Sequence, residues 1–224
     1  MPYEEDNYVD EMPDYENYGY ENHDFKRDTF WLKRPDNDLI IRAENGDAEA
    51  QYQIGKIFFE AYHDDVESTS PIKMEGVDDF YDEAINWLTK SAQQDNLGAQ
   101  ICLSNLYLYS IHRRLPGGDY FVEKSKYWVE KAAKSDKREG MHALGCWYEW
   151  LYADCGELED AQHAYYYYRV AARNGYTPAM CDLAMCYKDG VGVGKNLTKA
   201  RYWLERAKNG GDEDASRLLL TLDE

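Results

Sequence analysis

The chain of 224 residues lacks several features that mark common protein classes. It has no hydrophobic run near the roughly 20 residues that cross a bilayer, which excludes a membrane-spanning helix. Basic residues are few, 25 Lys and Arg against 43 Asp and Glu, and the net charge of -18 excludes a protein that binds the phosphate backbone of nucleic acids. The first residues contain neither the basic nor the apolar stretch of a secretion signal, so we expect a cytoplasmic protein.

Sequence patterns of metal, disulfide and catalytic sites are also missing. The five cysteines are irregularly spaced and include no Cys-x-x-Cys pair, so we expect reduced, mostly packed thiols. The five histidines are scattered along the chain, and we therefore predict no metal site. Nothing in the sequence supports a catalytic cysteine or a Ser-His-Asp set, so we predict no catalytic residues, no enzymatic activity and no cofactor.

What the chain has in abundance is acid and tyrosine. Residues 1–28 carry ten Asp or Glu against Lys26 and Arg27, and their bulky side chains are almost all tyrosines without aliphatic neighbours. Such a composition cannot bury enough apolar surface to offset the entropy lost on ordering. We predict a disordered, acidic, Tyr-rich arm at 1–28, followed at 29–224 by a domain with enough hydrophobic residues to form a core.

An internal repeat organises the rest of the chain. Aromatic anchors are each followed twelve residues later by a small residue, in the pairs Trp87 and Ala99, Trp128 and Gly140, Tyr167 and Ala179, Trp203 and Ala215. Five residues further on come Ser104, Gly145, Ala184 and finally Leu220, which breaks the small-residue rule. Only the distance from a small residue to the next anchor varies. This asymmetry predicts antiparallel helix pairs, A then B, with a fixed turn from B to the next A and insertions confined to the A-to-B loop.

These residues resemble the Sel-one-like repeats, which are short solenoid units of the tetratricopeptide type. The first unit opens with Ala-Glu-Ala-Gln-Tyr-Gln-Ile-Gly at 48–55, and the fourth carries Gly-Val-Gly-Val at 190–193 before Lys-Ala-Arg-Tyr-Trp at 199–203. The resemblance covers about residues 36 to 222. It implies an all-α fold, a right-handed α-solenoid superhelix of about four helix-turn-helix repeats with a terminal half-repeat and a capping helix.

The implied units are about 47–96, 97–136, 137–176 and 177–212, with the half-repeat before them and the cap at 213–224. Two units depart from the family pattern. The first has a long acidic insertion around Glu60 to Asp79, and the second lacks the Gly-x-Gly-Val turn. In the fourth unit, the run from Gly190 to Lys195 resembles a phosphate-binding loop, but Asp189 stands where the first glycine is needed. We interpret that run as the turn from helix A to helix B.

The resemblance implies that the A helices line the inner surface of the superhelix. We take the second small residue of each A helix as the register, that is Gly55, Ser104, Gly145 and Ala184. Side chains three before, one after and four or five after this residue should face inward. The same register also gives Leu108, Cys146 and Cys181 as inward-facing. The predicted partner-binding groove is Tyr52, Lys56, Phe59, Ile101, Asn105, Tyr109, His142, Glu149, Trp150, Met185 and Lys188. Its mixture of aromatic, apolar and charged groups is typical of a recognition surface. A register wrong by one residue would make half of these residues core instead.

The acidic residues indicate the chemistry of the partner. With the arm, the insertion residues Asp64, Asp65, Glu67, Asp78 and Asp79 predict a negative field that steers a basic protein, a solubilising role being the alternative. Relatives of these repeats include bacterial immunity proteins. By that analogy we expect a bacterial cytoplasmic immunity protein that binds and neutralises a basic, secreted antibacterial toxin such as a nuclease.

Other hypotheses stay open at this point. The second hypothesis is a regulatory adaptor or scaffold that assembles cellular proteins, as other relatives of these repeats do. The third hypothesis is an enzyme. Neither nucleic acid nor a membrane is expected as a partner, because the acidic surface repels both anionic polymers and anionic lipids. The abundance of tyrosine leaves a homodimer open.

Overall fold

The computed structural model describes residues 35–67, 77–112 and 117–222, without the side chains of 63–67, 77–79 and 112. The predicted arm at 1–28 lies outside this description. Within the described ranges the chain forms ten helices and is all-α. They are α1 (Asn37–Glu44), α2 (Ala48–Glu67), α3 (Val77–Gln93), α4 (Leu97–His112), α5 (Gly118–Ser135), α6 (Glu139–Cys155), α7 (Leu158–Arg173), α8 (Thr177–Asp189), α9 (Leu197–Asn209) and α10 (Glu213–Leu220).

The helices pack as sequential pairs. α2 packs on α3, α4 on α5, α6 on α7 and α8 on α9, so the A helices are the even-numbered members from α2 to α8. α1 packs on α2 as the expected half-repeat, and α10 packs on α9 as the expected cap. The prediction of an all-α solenoid of helix pairs is confirmed.

The connections from one pair to the next have a constant length. Three residues join each helix of the B type to the helix that follows it, at 94–96, 136–138, 174–176 and 210–212, and three also join α1 to α2. Four of these five turns contain a residue with a left-handed backbone: Gly46 (φ 91°), Asp95 (φ 62°), Gly175 (φ 88°) and Gly211 (φ 92°). Glycine adopts this conformation without the penalty of a Cβ, so the Asn-Gly signals in the sequence do end helices here.

The connections within a pair vary in length, and part of this variation comes from the helices, which themselves differ in length. α2 has 20 residues, whereas α8 has 13. The acidic insertion of the first unit is therefore not a loop throughout, because α2 continues to Glu67 and α3 begins at Val77. From Glu60 to Glu67 the sequence contains neither glycine nor proline, so nothing stops the helix before that point.

Small residues lie where helices cross. The first set of repeat positions, Ala99, Gly140, Ala179 and Ala215, is buried, and so are Ser104, Gly145 and Ala184 of the second set. Leu220, which breaks the rule, is 70 % exposed. It belongs to the last described helix, where no further helix pair packs against it.

The residue after the aromatic anchor is buried in each B helix. Leu88, Val129, Tyr168 and Leu204 are at most 1 % exposed, whereas the anchors Trp87, Tyr167 and Trp203 are only half-buried. Leu88 and Tyr168 fill the space over Gly55 and Gly145 on the A helix of their own pair. These three anchors cover the core from outside, whereas Trp128 is itself buried. Lys90 Nζ lies 4.6 Å from the ring centroid of Trp87.

Candidate functional site

The predicted groove residues lie on A helices that touch one another, since α2 contacts α4, α4 contacts α6, and His142 of α6 contacts Asp182 of α8. We call these eleven residues the A-helix face. None of them is fully buried: Lys56, Asn105 and Glu149 are exposed, and Tyr52, Phe59, Ile101, Tyr109, His142, Trp150, Met185 and Lys188 are half-buried. A partner can therefore reach this face, and its role in binding stays a prediction.

The end of the face formed by α2 and α4 is aromatic. The ring of Phe59 meets that of Tyr109 edge-on, with centroids 6.1 Å apart. Tyr52 lies over Gly98, where a Cβ would come within 2.6 Å of the tyrosine ring. Burial raises the pKa of Tyr52 to about 12 and that of its neighbour Cys102 to about 11, so both groups are neutral at physiological pH.

Glu149 has a structural partner as well as an exposed position. Its Oε2 accepts a hydrogen bond of 2.7 Å from the hydroxyl of Tyr168, the fully buried residue of α7. Tyr168 stands where the other B helices carry leucine or valine, and its ring fills the space over Gly145, where a Cβ would come within 2.6 Å of it. Glu149 therefore helps to hold α6 on α7 in addition to lining the face.

A cluster of three chemically different side chains lies between α6 and α8. His142 Nε2 is 2.7 Å from Asp182 Oδ2, and Cys146 Sγ is 3.6 Å from the same nitrogen. Burial lowers the pKa of His142, but hydrogen bonds to Asp182 and Cys146 outweigh it and raise the pKa to about 10. The rings of Tyr176 and Tyr168 flank the imidazole, with centroids 5.1 Å and 5.7 Å away.

The positions of the five histidines along the sequence did not predict this cluster. His142 and Cys146 are four residues apart on one helix, a spacing that brings side chains together and was visible in the sequence. Asp182, however, is 40 residues from His142. Only the stacking of the third helix pair on the fourth brings it to the other two.

The remaining predicted site residues are placed as follows. Lys188 Nζ donates a hydrogen bond of 3.0 Å to Thr221 Oγ1, which ties α8 to the residue after α10. Lys56 pairs with Glu60 one turn further along α2, at 3.6 Å. The predicted steering residues Asp64, Asp65, Glu67, Asp78 and Asp79 have side chains outside the described set.

The thiols agree only in part with expectation. All five are free, and Cys181 and Cys186 are buried while Cys102 is half-buried. Cys146 and Cys155 are exposed. Within the described residues, no helix has both the length and the apolar character needed to cross a membrane.

Comparison with known proteins identifies the repeat. A model of the Sel1 repeat matches residues 76–96, 119–137, 138–176 and 177–212, which together make up just over half of the chain. The chain belongs to the Sel1 repeat family. The resemblance drawn from the sequence is thus confirmed, and Sel1 repeats are generally protein-interaction scaffolds without catalytic activity.

Solved structures of Sel1 repeat proteins share the fold. A Sel1 repeat protein from Oxalobacter formigenes has a TM-score of 0.58 and 23% identity, over 81% of this chain and 64% of that chain. A protective antigen of uropathogenic Escherichia coli strains has a TM-score of 0.57 and 24% identity, over 83% of this chain and 35% of that chain. At these identities the similarity establishes the fold alone.

A sequence relative extends far beyond this Sel1 chain. An uncharacterized protein of Neisseria meningitidis serogroup B is 29% identical over 131 residues, which are 56% of this chain and 26% of the relative. The chain thus spans about a quarter of that protein.

A second accessible row, on the B helices, was also missed. Tyr127, Tyr166 and Tyr202 each precede an aromatic anchor and are 57 %, 47 % and 52 % exposed. Cations accompany two of them, Arg169 at 5.7 Å from the Tyr166 ring and Arg206 at 5.9 Å from that of Tyr202. A tyrosine directly before the anchor recurs in three units, and this recurrence was the signal in the sequence that could have revealed the row. We call these three tyrosines the B-helix row, and they provide a matched comparison for the A-helix face.

Proposed function

We propose that this Sel1 repeat chain is a non-enzymatic protein-binding solenoid that grips its partner with the A-helix face. The observation that carries the proposal is the row of accessible aromatic, apolar and charged side chains on adjoining A helices. Because the turns between helix pairs are constant, these side chains are presented at fixed spacing on a rigid support. Aromatic residues supply most of the binding energy in many interfaces, and Tyr52, Phe59 and Trp150 are the anchors we propose.

The more specific proposal concerns the partner. We propose a basic, secreted antibacterial toxin, such as a nuclease, which the chain neutralises as an immunity protein in the bacterial cytoplasm. The net charge of -18 supports a basic partner, since it accelerates encounter with a cation and repels nucleic acid. A regulatory adaptor that joins two cellular proteins is the alternative, and it would use the same face.

Co-expression tests the immunity proposal. A basic toxin domain encoded beside this chain in its source genome is expressed in Escherichia coli with and without the chain. We expect growth to be rescued and a complex to co-purify. If growth is not rescued and the purified proteins do not associate, the immunity proposal is wrong.

Paired alanine variants then test the face. Tyr52→Ala and Phe59→Ala should each weaken binding by about 1–4 kcal/mol in isothermal titration calorimetry. Tyr127→Ala and Tyr202→Ala remove the same kind of side chain from the B-helix row and should change the affinity little. Melting temperatures of all four free variants are measured, because loss of core packing would lower them. Weaker binding only in the B-helix variants would contradict the proposed face.

Charge reversal tests the steering residues separately. The triple variant Asp64→Lys, Asp65→Lys, Glu67→Lys should bind the partner more slowly. Its dissociation rate should be nearly unchanged, because long-range attraction acts on the encounter of the two proteins. Raising the salt concentration should reduce the difference between this variant and the native chain. An unchanged association rate at low salt would refute steering without affecting the proposed face.

A further inference from the structure

The stacking of helix pairs creates one recurring position between neighbouring A helices. The register residue is again the second small residue of each A helix. Two side chains of one A helix, three before and one after its register residue, face one side chain of the next A helix, two before the register residue of that helix. Between α2 and α4 this set is Tyr52, Lys56 and Cys102. Between α4 and α6 the register gives Ile101, Asn105 and Ala143, which cannot bind a metal ion together. Between α6 and α8 it gives His142, Cys146 and Asp182.

The third set brings a nitrogen, a sulfur and an oxygen ligand together. Within the described residues, the ligand atoms of His142, Cys146 and Asp182 all lie within 4.8 Å of one another. In a tetrahedral zinc site, bonds of about 2.0–2.1 Å to nitrogen and about 2.3 Å to sulfur place those two ligands about 3.5 Å apart. Cys146 Sγ and His142 Nε2 are 3.6 Å apart.

The carboxylate must move to complete the site. A tetrahedral ion separates a nitrogen and an oxygen ligand by about 3.4 Å, whereas His142 Nε2 and Asp182 Oδ2 are 2.7 Å apart. Asp182 is 38% exposed, so rotation of its side chain supplies this small displacement. Cys146 is exposed too, so an ion can enter from solvent without opening the helix pair.

We propose that His142 Nε2, Cys146 Sγ and one carboxylate oxygen of Asp182 bind a divalent transition-metal ion, with Zn²⁺ as the fitting representative. Nitrogen and thiolate ligands favour zinc over magnesium or calcium. On binding, Cys146 releases its thiol proton and the imidazole releases the proton on Nε2 to solvent. The ion then supplies the positive charge beside Asp182 and links α6 of the third unit to α8 of the fourth. Three protein ligands leave a fourth position for water or for a side chain of a bound partner.

Cobalt spectroscopy of the full, reduced and chelator-treated chain tests the site directly. Adding Co²⁺ should produce thiolate-to-cobalt charge-transfer absorption and the visible bands of a four-coordinate ion, saturating at one equivalent. Zn²⁺ should then displace the cobalt and bleach these bands. If the native chain gives no charge-transfer absorption, the proposal is wrong, and this measurement requires no variant to fold.

Zinc titration calorimetry identifies the ligands. Cys146→Ser and Asp182→Asn should each weaken zinc binding at least tenfold, and the same zinc concentration should raise the melting temperature of the native chain more than that of either variant. Cys155→Ser removes another exposed thiol of α6 that lies outside the cluster and should bind zinc like the native chain. Helix content by circular dichroism confirms that each variant folds. Unchanged affinity in Cys146→Ser or Asp182→Asn, or loss of binding in Cys155→Ser, overturns the site.

Discussion

The contact of helix α5 with α6 at Gly140 gives the sharpest test of the packing. A Cβ at Gly140 would overlap the carbonyl group of Ala132, and it would come within 2.9 Å of the backbone nitrogen of Ala133. The equivalent positions Ala99, Ala179 and Ala215 accept a methyl group. The turn before Gly140 is also the one that contains no left-handed residue among the five described turns of this type. Asp136 closes it instead, accepting hydrogen bonds from the backbone nitrogens of Arg138 and Glu139.

The Gly140→Ala variant should therefore be destabilised. A backbone carbonyl cannot rotate away as a side chain can, so the helices must separate, and overpacking typically costs about 1–3 kcal/mol or more. Alanine also favours a helix over glycine by about 1 kcal/mol, which acts in the opposite direction. We expect a net loss of about 2 kcal/mol, which corresponds to a fall of roughly 4–8 °C in melting temperature for a chain of this size.

Thermal and urea unfolding followed by circular dichroism provide the measurement. Gly118→Ala is the matched control, because Gly118 also lies in a helix but a Cβ there meets nothing within 4 Å. That variant should be as stable as the native chain or slightly more stable. If Gly140→Ala unfolds at the same temperature as Gly118→Ala or above it, the close approach of α5 and α6 is wrong.

Three further predictions concern polar groups in the core. Tyr168→Phe removes the hydrogen bond to Glu149 and keeps the ring over Gly145, so urea unfolding should show a loss of about 1 kcal/mol; no change would mean that the bond adds nothing. Ser125→Ala removes the acceptor of the Trp147 indole N–H, 3.0 Å away, and should cost about 1–3 kcal/mol in the same assay, whereas a neutral result would contradict a buried bond. Burial raises the pKa of Cys102 to about 11, so above about pH 8.5 the unfolded chain loses this proton first. Stability should therefore fall as pH rises from about 8.5 to 11, and Cys102→Ala should show a smaller fall in the urea midpoint; an equal fall would assign the effect to other groups.

The sequence predicted the repeat because its signals are local. The spacing between anchor and small residue reflects a turn of constant length, and Gly46, Gly175 and Gly211 end helices for a reason that each glycine carries by itself. The exposed position of Leu220 follows from the same rule, since it lies beyond the last helix crossing. The acidic insertion was expected in the loop from helix A to helix B, whereas α2 continues to Glu67, because acidic residues indicate solvent exposure but do not stop a helix.

The parts of the candidate site that the sequence did not reveal depend on contacts between different helices. Asp182 meets His142 only because two helix pairs stack, and no periodicity within either helix encodes that contact. Similarly, the bond from Tyr168 to Glu149 joins two helices of one pair and makes Glu149 both an accessible and a structural residue. One register predicted accessible side chains on the A helices, but it fails at Cys181 of α8, which is buried.

Hydrogen exchange of the chain with and without the proposed toxin partner tests the central claim most directly. If the A-helix face grips the partner, exchange should slow in α2, α4 and α6 on binding, while α5, α7 and α9 exchange at the rate of the free chain. Protection confined to the helices that carry Tyr127, Tyr166 and Tyr202 would contradict the account.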